Sequence, residues 1–179
     1  MTKYLFIVSL LIVQYSFAQV GTVFPNLKGT TLSDKQLIVP VDTKGKFTLI
    51  GLAYSQKAEQ DLQTWFQPVF TTFIEKTKPG LFNDNYDVNL YFVPMFTGAN
   101  QAAAEKTTKY LKEKLDKVLV PHVLIYKGEL KDYKQHLKLE QNDTPYFFVL
   151  DKDGKIVHTT SGRYTDEKLE KIEAMMEEE

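Results

Sequence analysis

The hydrophobic positions of this chain change period several times, and each period predicts a different element. Phe47-Thr48-Leu49-Ile50-Gly51-Leu52-Ala53 is a near-continuous apolar run, the pattern of a strand covered on both faces. From Gln56 to about Lys76 the spacing becomes three and four. Leu62, Trp65, Phe66, Val69, Phe70, Phe73 and Ile74 then share one helical stripe. Ser55 stands before it as an N-cap, its hydroxyl able to accept an orphan backbone N–H. Pro68 lies inside the stripe and predicts a kink or split there; Lys78-Pro79-Gly80 predicts the end of the helix. Val88-Asn89-Leu90-Tyr91-Phe92-Val93-Pro94 reads as a second strand. A turn at Gly98-Ala99-Asn100, with Asn100 as cap, leads into a helix carrying Ala104, Leu111, Leu115 and Val118 inward. Its other face bears Lys106, Lys109, Lys112, Lys114 and Lys117, a row read as solvated.

The later part alternates faster. His122–Tyr126 predicts a short strand and Leu130–Leu139 a short helix. Tyr146–Leu150 and Lys155–Thr159 flank Asp151-Lys152-Asp153-Gly154, a hairpin in which Gly154 supplies a positive φ. Thr165 caps a last helix with Asp166 and Glu167 in its first turn. Leu169, Ile172 and Met176 line the inner face of that helix, and three glutamates end the chain as a solvated tail. Ahead of the first buried strand, Val23-Phe24-Pro25 and Leu37-Ile38-Val39-Pro40 are expected to pair as short edge strands, where proline is tolerated. The order is β-α-β-α, an insertion, then β-β-α: one α/β domain without repeat or linker.

The first eighteen residues follow a different logic. Lys3 is their only charge, an apolar stretch follows it, and Ser16-Phe17-Ala18 ends in small residues at the −3 and −1 positions of a cleavage site. This is the pattern of a secretory signal peptide, 1–18, with the folded domain at 19–179 beginning near Gln19. The stretch is short for a membrane span, which needs about 20 apolar residues; an uncleaved anchor is the other reading. No cysteine stands at the cleavage point for lipid attachment. The expected location is the periplasm, or the medium, of a bacterium.

Composition narrows the chemistry. The 179 residues include 22 basic and 23 acidic side chains, a balance that gives no reason to expect nucleic acid as partner. At 43% hydrophobic the chain can bury a substantial core. It contains no cysteine, which excludes disulfides, thiolate nucleophiles, cysteine-ligated zinc and iron–sulfur clusters. No phosphate loop, dinucleotide fingerprint or EF-hand spacing is present, and the three histidines are too far apart for a sequence-level metal motif. Neither a cofactor nor a metal is expected.

Several motifs resemble the thioredoxin-like family: Thr144-Pro145 before Tyr146-Phe147-Phe148-Val149-Leu150, the Asp151-Lys152-Asp153-Gly154 hairpin, Ser161-Gly162, and Gly45-Lys46 before the first buried strand. The likeness is to exported bacterial thiol-disulfide oxidoreductases and covers roughly Gly21 to Met176. It implies a central mixed sheet flanked by helices and a cis bond at Thr144–Pro145. It also implies a redox Cys-x-x-Cys where this chain has Tyr54-Ser55-Gln56-Lys57-Ala58. Ser55 matches the nucleophilic cysteine, Ala58 the resolving one, and Asp61 an acidic position; Gln63 stands where the helix proline would be. Without either thiol, thiol exchange and cysteine-peroxidase chemistry are excluded. A looser resemblance is to the thioredoxin-like mitochondrial ATP synthase assembly factors, through Phe24-Pro25, Tyr126-Lys127-Gly128, Leu150-Asp151 with Gly154, and Ser161-Gly162. Thr144-Pro145 departs from that second pattern. It implies a chaperone or assembly role.

Together these features point to a redox-inactive protein binding a polypeptide or aiding assembly in the cell envelope. Its groove would be formed by Tyr54, Ser55, Lys57, Thr144, Pro145 and Tyr146. Retention of Thr-Pro for folding alone is the competing explanation of that motif. Trp65 belongs to the helical stripe and reads as core. The alternative from another class is a cysteine-free hydrolase using Ser55, with His122, His136 or His158 as base, although no Gly-x-Ser-x-Gly elbow surrounds Ser55.

Overall fold

The computed structural model describes residues 19–75 and 86–177. The expected signal peptide and the helix end at Lys78-Pro79-Gly80 lie outside the described residues. Seven strands form one mixed sheet in the order β2-β1-β5-β4-β3-β6-β7. They are β1 (Leu27–Thr31), β2 (Gln36–Val39), β3 (Thr48–Ala53), β4 (Asn89–Thr97), β5 (Leu124–Gly128), β6 (Tyr146–Leu150) and β7 (Ile156–Ser161). β3 runs parallel to β4 and antiparallel to β6, and β4 runs parallel to β5. The helices are α1 (Gln56–Gln63), α2 (Phe66–Phe70), α3 (Ala104–Lys114), α4 (Lys131–His136) and α5 (Asp166–Glu177).

Every residue of β3 is buried, as its uninterrupted apolar run requires. Successive side chains point to opposite faces. Ile50, Leu52 and Tyr54 join a core with Phe24, Val93, Leu124 and Phe148. Leu49 and Ala53 join the other, with Leu62, Trp65, Phe92, Phe147 and Ile172. α1, α2 and α5 supply the second core; Leu137 and Leu139, following α4, belong to the first.

Four expectations are corrected here. The partner of β2 is Leu27–Thr31, in the register Leu27 to Val39. Val23 instead bridges Lys155, since Phe24 N donates to Gly154 O and fastens the entering chain to the far hairpin. The first long helix breaks at Thr64–Trp65, ahead of Pro68. Proline cannot donate to the carbonyl four residues back and its ring crowds that carbonyl. Pro68 therefore sits in the first turn of a new segment, where a missing N–H costs little. Asn100 does not cap α3, because Gly98–Ala103 forms a 3-10 turn that runs straight into it. Val118 faces outward: the chain leaves the helix at Leu115, whose ψ of 145° is extended, and Val118 is left 47% exposed.

Proline inside β4 also has a place. Pro94 lies opposite Ala53 of β3. On its other side, the β5 ladder starts only at Met95–Tyr126, after an isolated bridge from Phe92 to Val123. The hairpin forms as its sequence predicts, with Gly154 at φ 85°. Thr165 caps α5, which buries Leu169, Ile172 and Met176.

Candidate functional site

Ser55 ends the extended chain leaving β3 and opens α1. Its Oγ accepts from Ala58 N at 3.1 Å and donates to Asp143 Oδ1 at 3.0 Å. The hydroxyl thus completes the helix cap and reaches across to the loop before β6. Tyr54, buried beside it, donates toward Leu139 O and Gln141 O, 3.1 and 3.0 Å away. Burial, then Tyr146 and Asp143, push its pKa up to about 12, so the phenol remains a donor at neutral pH. Lys134 Nζ lies 5.3 Å from the centroid of the Tyr54 ring and donates to Asn142 Oδ1. Tyr146 OH accepts from Gln141 N at 2.6 Å, and Thr144 Oγ1 donates to Gln141 Oε1.

The structure therefore joins Tyr54, Ser55, Thr144 and Tyr146 through the 139–145 loop. Lys57 does not join them: it stands exposed on the first turn of α1. Pro145 is buried, and its carbonyl accepts from Gly162 N at 2.9 Å, so that group is already used within the fold. The Thr144–Pro145 bond is trans; the cis bond among the described residues is Val39–Pro40. X–Pro bonds intrinsically favour trans, and here the loop is held through Gln141, Asp143 and the Pro145 carbonyl. Asp143 and Gln141 were not singled out in the sequence. They lie more than eighty residues from Tyr54 and Ser55 and belong to no motif, so only the fold brings them near.

Neither His122 nor His136 turns toward Ser55 through its Nδ1. His122 Nδ1 pairs with Leu90 O, and His136 Nδ1 with Asp132 O. His158 lies on edge strand β7 opposite Val149, its Nε2 buried without a hydrogen-bond partner among the described residues. Trp65 is core, as its stripe predicts: fully buried, with Nε1 donating to Gly162 O at 2.9 Å. Asp61, at the acidic position, pairs with Arg163 at 2.8 Å. Among the described residues no three His, Asp or Glu side chains cluster as metal ligands, and no helix is long and apolar enough to cross a membrane.

Two predictions arise here. Ser55→Ala removes a cap and the bond to the exposed Asp143 carboxylate, and should cost about 1 kcal/mol, with Ser55→Thr retaining most of it. Urea midpoints read this directly; an alanine variant as stable as the parent would deny Ser55 a capping role. The second concerns pH. Burial lowers the pKa of His122, opposed by its bond to Leu90 O; burial and then Lys171 lower that of His158. Both are favoured neutral in the fold. Their contribution is complete above the ordinary value of 6.5, and is lost as pH falls through the lowered folded values. Glu59, raised by burial, acts in the opposite sense. Stability should therefore fall as pH drops below about 6.5 and on through the lowered folded values, and His158→Gln should flatten the drop. An unchanged slope in that variant would remove His158 from the account.

The sheet order and the flanking helices give a thioredoxin-like fold, and solved structures share it. The chain is similar to a Bacteroides thetaiotaomicron protein assigned as a protein disulfide isomerase (TM-score 0.60, 16% identity, covering 90% of this chain and 91% of that one). It is also similar to a thiol:disulfide interchange protein from Bacteroides sp. (0.57, 16%, covering 89% and 91%). StoA from Bacillus subtilis follows the same fold (0.52, 20%, covering 83% and 96%). At these identities the likeness concerns the fold alone. No curated protein sequence matches the chain. The ATP10 protein family matches residues 14–178, and the chain belongs to that family.

Proposed function

We propose that this chain is an exported, redox-inactive thioredoxin-like protein that binds a polypeptide partner and aids assembly of a complex in the cell envelope. The binding surface would present Lys57, Thr144 and Tyr146 around Ser55, with Tyr54 and Pro145 buried beneath them. One observation carries the reading: where a thiolate would be needed, the Ser55 hydroxyl is committed to the α1 cap and to Asp143. A loop-to-helix clasp thus stands where redox chemistry would otherwise occur. Membership of the ATP10 family supports an assembly role, and the Lys3-to-Ala18 pattern supports export. The trans Thr144–Pro145 bond and the internally used Pro145 carbonyl move the expected contacts from that backbone to the side chains of Tyr146, Thr144 and Lys57.

The experiment has two arms. Insulin reduction should be at background, and the exported protein should begin at Gln19 by mass spectrometry. Cross-linking in envelope extracts should give a partner adduct that Tyr146→Ala and Lys57→Glu diminish together; an adduct indifferent to both variants would remove this surface from the reading. Ser55 does have an acid beside it in Asp143, the one feature favouring hydrolysis. No imidazole contacts Ser55 among the described residues, and the same acid also explains a static clasp. Ester turnover abolished by Ser55→Ala with the fold intact would reinstate the hydrolase.

A further inference from the structure

A second surface lies one face away from the polar clasp. α1 and α3 do not close on each other above β4; a cleft of about 390 Å3 separates them. Leu62 and Phe66 form one wall, and Tyr110, Leu111 and Leu115 the other. None of the residues of the polar clasp lines it. Tyr110 is 60% exposed although it belongs to this apolar wall, and Leu111 and Leu115 are only partly buried. An isolated exposed apolar residue is ordinary, but several converging on one cleft mark a contact surface.

The electrostatics of the cleft indicate what fits. Glu59 stands on the α1 wall, partly buried. A first-turn position favours its anion, yet burial prevails and raises its pKa. Among the described residues neither a hydrogen-bond donor nor a cation pairs with its carboxylate: Lys114 lines the opposite wall but makes no ion pair with it. A carboxylate partly removed from water, without a donor and beside unfilled apolar space, is complementary to a cation attached to an apolar group. The lysines of α3 carry less weight, because exposed ammonium groups are already well solvated.

We infer that the α1–α3 cleft docks an amphipathic segment of a partner polypeptide, an apolar side chain filling the space beside Leu62 and Leu111 and an adjacent arginine or lysine reaching Glu59. This inference rests on the polypeptide-binding reading but assigns it a different face. It also gives the partner a chemistry, apolar and basic together.

Two short capped helical peptides test it, identical in their leucine stripe and differing only in arginine or glutamate beside it. Binding is followed by fluorescence anisotropy and by amide NMR shifts of the full mature chain. The arginine peptide should bind at least about tenfold more tightly than the glutamate peptide, with shifts centred on Leu62, Tyr110 and Leu115. Glu59→Gln should erase the preference, and Leu111→Trp should fill the cleft and abolish binding of both. Tyr110→Ser, at an exposed site that tolerates substitution, should weaken both peptides and keeps the test decisive if the tryptophan variant misfolds. Equal binding of the two peptides, a preference retained in Glu59→Gln, or no binding would overturn the inference. So would a self-associating dimer dispersed by Tyr110→Ser, or adsorption to anionic vesicles alone. Peptide binding lost in Tyr146→Ala and intact in Leu111→Trp would refute the cleft and leave the proposed function standing. Loss of the envelope adduct in Glu59→Gln and Tyr110→Ser, with Tyr146→Ala unaffected, would place the partner in the cleft.

Discussion

Replacing Trp65 by alanine should destabilise the protein by about 3 to 5 kcal/mol, the usual cost of deleting a buried large aromatic. Trp65 has no exposed surface. Its ring lies against Phe147 with centroids 4.1 Å apart and meets the edge of Tyr164 at 5.5 Å. Its N–H also satisfies Gly162 O at the exit of β7. One side chain thus ties the broken helix to β6 and to the turn before α5. Alanine would leave a cavity and an orphan carbonyl together, and folded proteins hold only about 5 to 15 kcal/mol in reserve. Trp65→Phe keeps most of the packing and should cost clearly less. Because Trp65 is the chain's sole tryptophan, its variants must be followed by circular dichroism in urea. A loss below about 1 kcal/mol for the alanine variant would contradict the cavity argument.

The second large effect concerns a residue with no side chain. Gly51 sits in the middle of β3, between β4 and β6. A Cβ placed there would lie 2.6 Å from Phe147 Cε1 and 2.9 Å from Leu62 Cδ1, closer than real carbon contacts permit. Phe147 cannot retreat, since Trp65 is stacked against it. Gly51→Ala should therefore cost about 1 to 3 kcal/mol from overpacking, and Gly51→Val more than that. The same geometry predicts coupling: Phe147→Leu should recover part of the loss from Gly51→Ala, so that the double variant is more stable than additivity allows. Trp65 fluorescence reports it directly from beside the site. Strict additivity would mean that the clash is relieved elsewhere.

Gly51 also shows where sequence reading stops. The apolar run around it announces a buried strand, and the strand forms there. Why the fifth position of that run must lack a Cβ is invisible until Phe147, almost one hundred residues later, pairs opposite Gly51. The helical stripe from Leu62 to Ile74 was legible for the same local reason, because period follows from helix geometry. Its break lies at Thr64–Trp65 and not at Pro68: the proline acts on the carbonyl four residues earlier, so the interruption appears upstream of the residue that causes it. Short edge strands were the least legible. Val23–Pro25 and Leu27–Thr31 are both plausible partners for Leu37–Val39, and the choice follows from the bonds joining Phe24 to the hairpin glycine.

The candidate site divides in the same way. Ser55 as cap was readable, since the preference of a hydroxyl for a helix start is local, and the cap bond to Ala58 N is present. Its bond to Asp143, and those of Tyr54 to Leu139 and Gln141, span more than eighty residues without any periodic signal. The isomer at Thr144–Pro145 was implied by resemblance to enzymes that carry two thiols, and the trans bond departs from it.

By itself, the sequence determined that the chain carries no thiol, that one α/β domain forms, and that Ser55 heads a helix. Those properties follow from composition, from period and from bonds between near neighbours. Tertiary structure alone decided that Asp143 clasps Ser55, that the Pro145 carbonyl is spent on Gly162, and that Glu59 faces an apolar cleft without a donor. Each depends on which distant segments pack together, and that is set by burial of both faces of the sheet, not by local order along the chain.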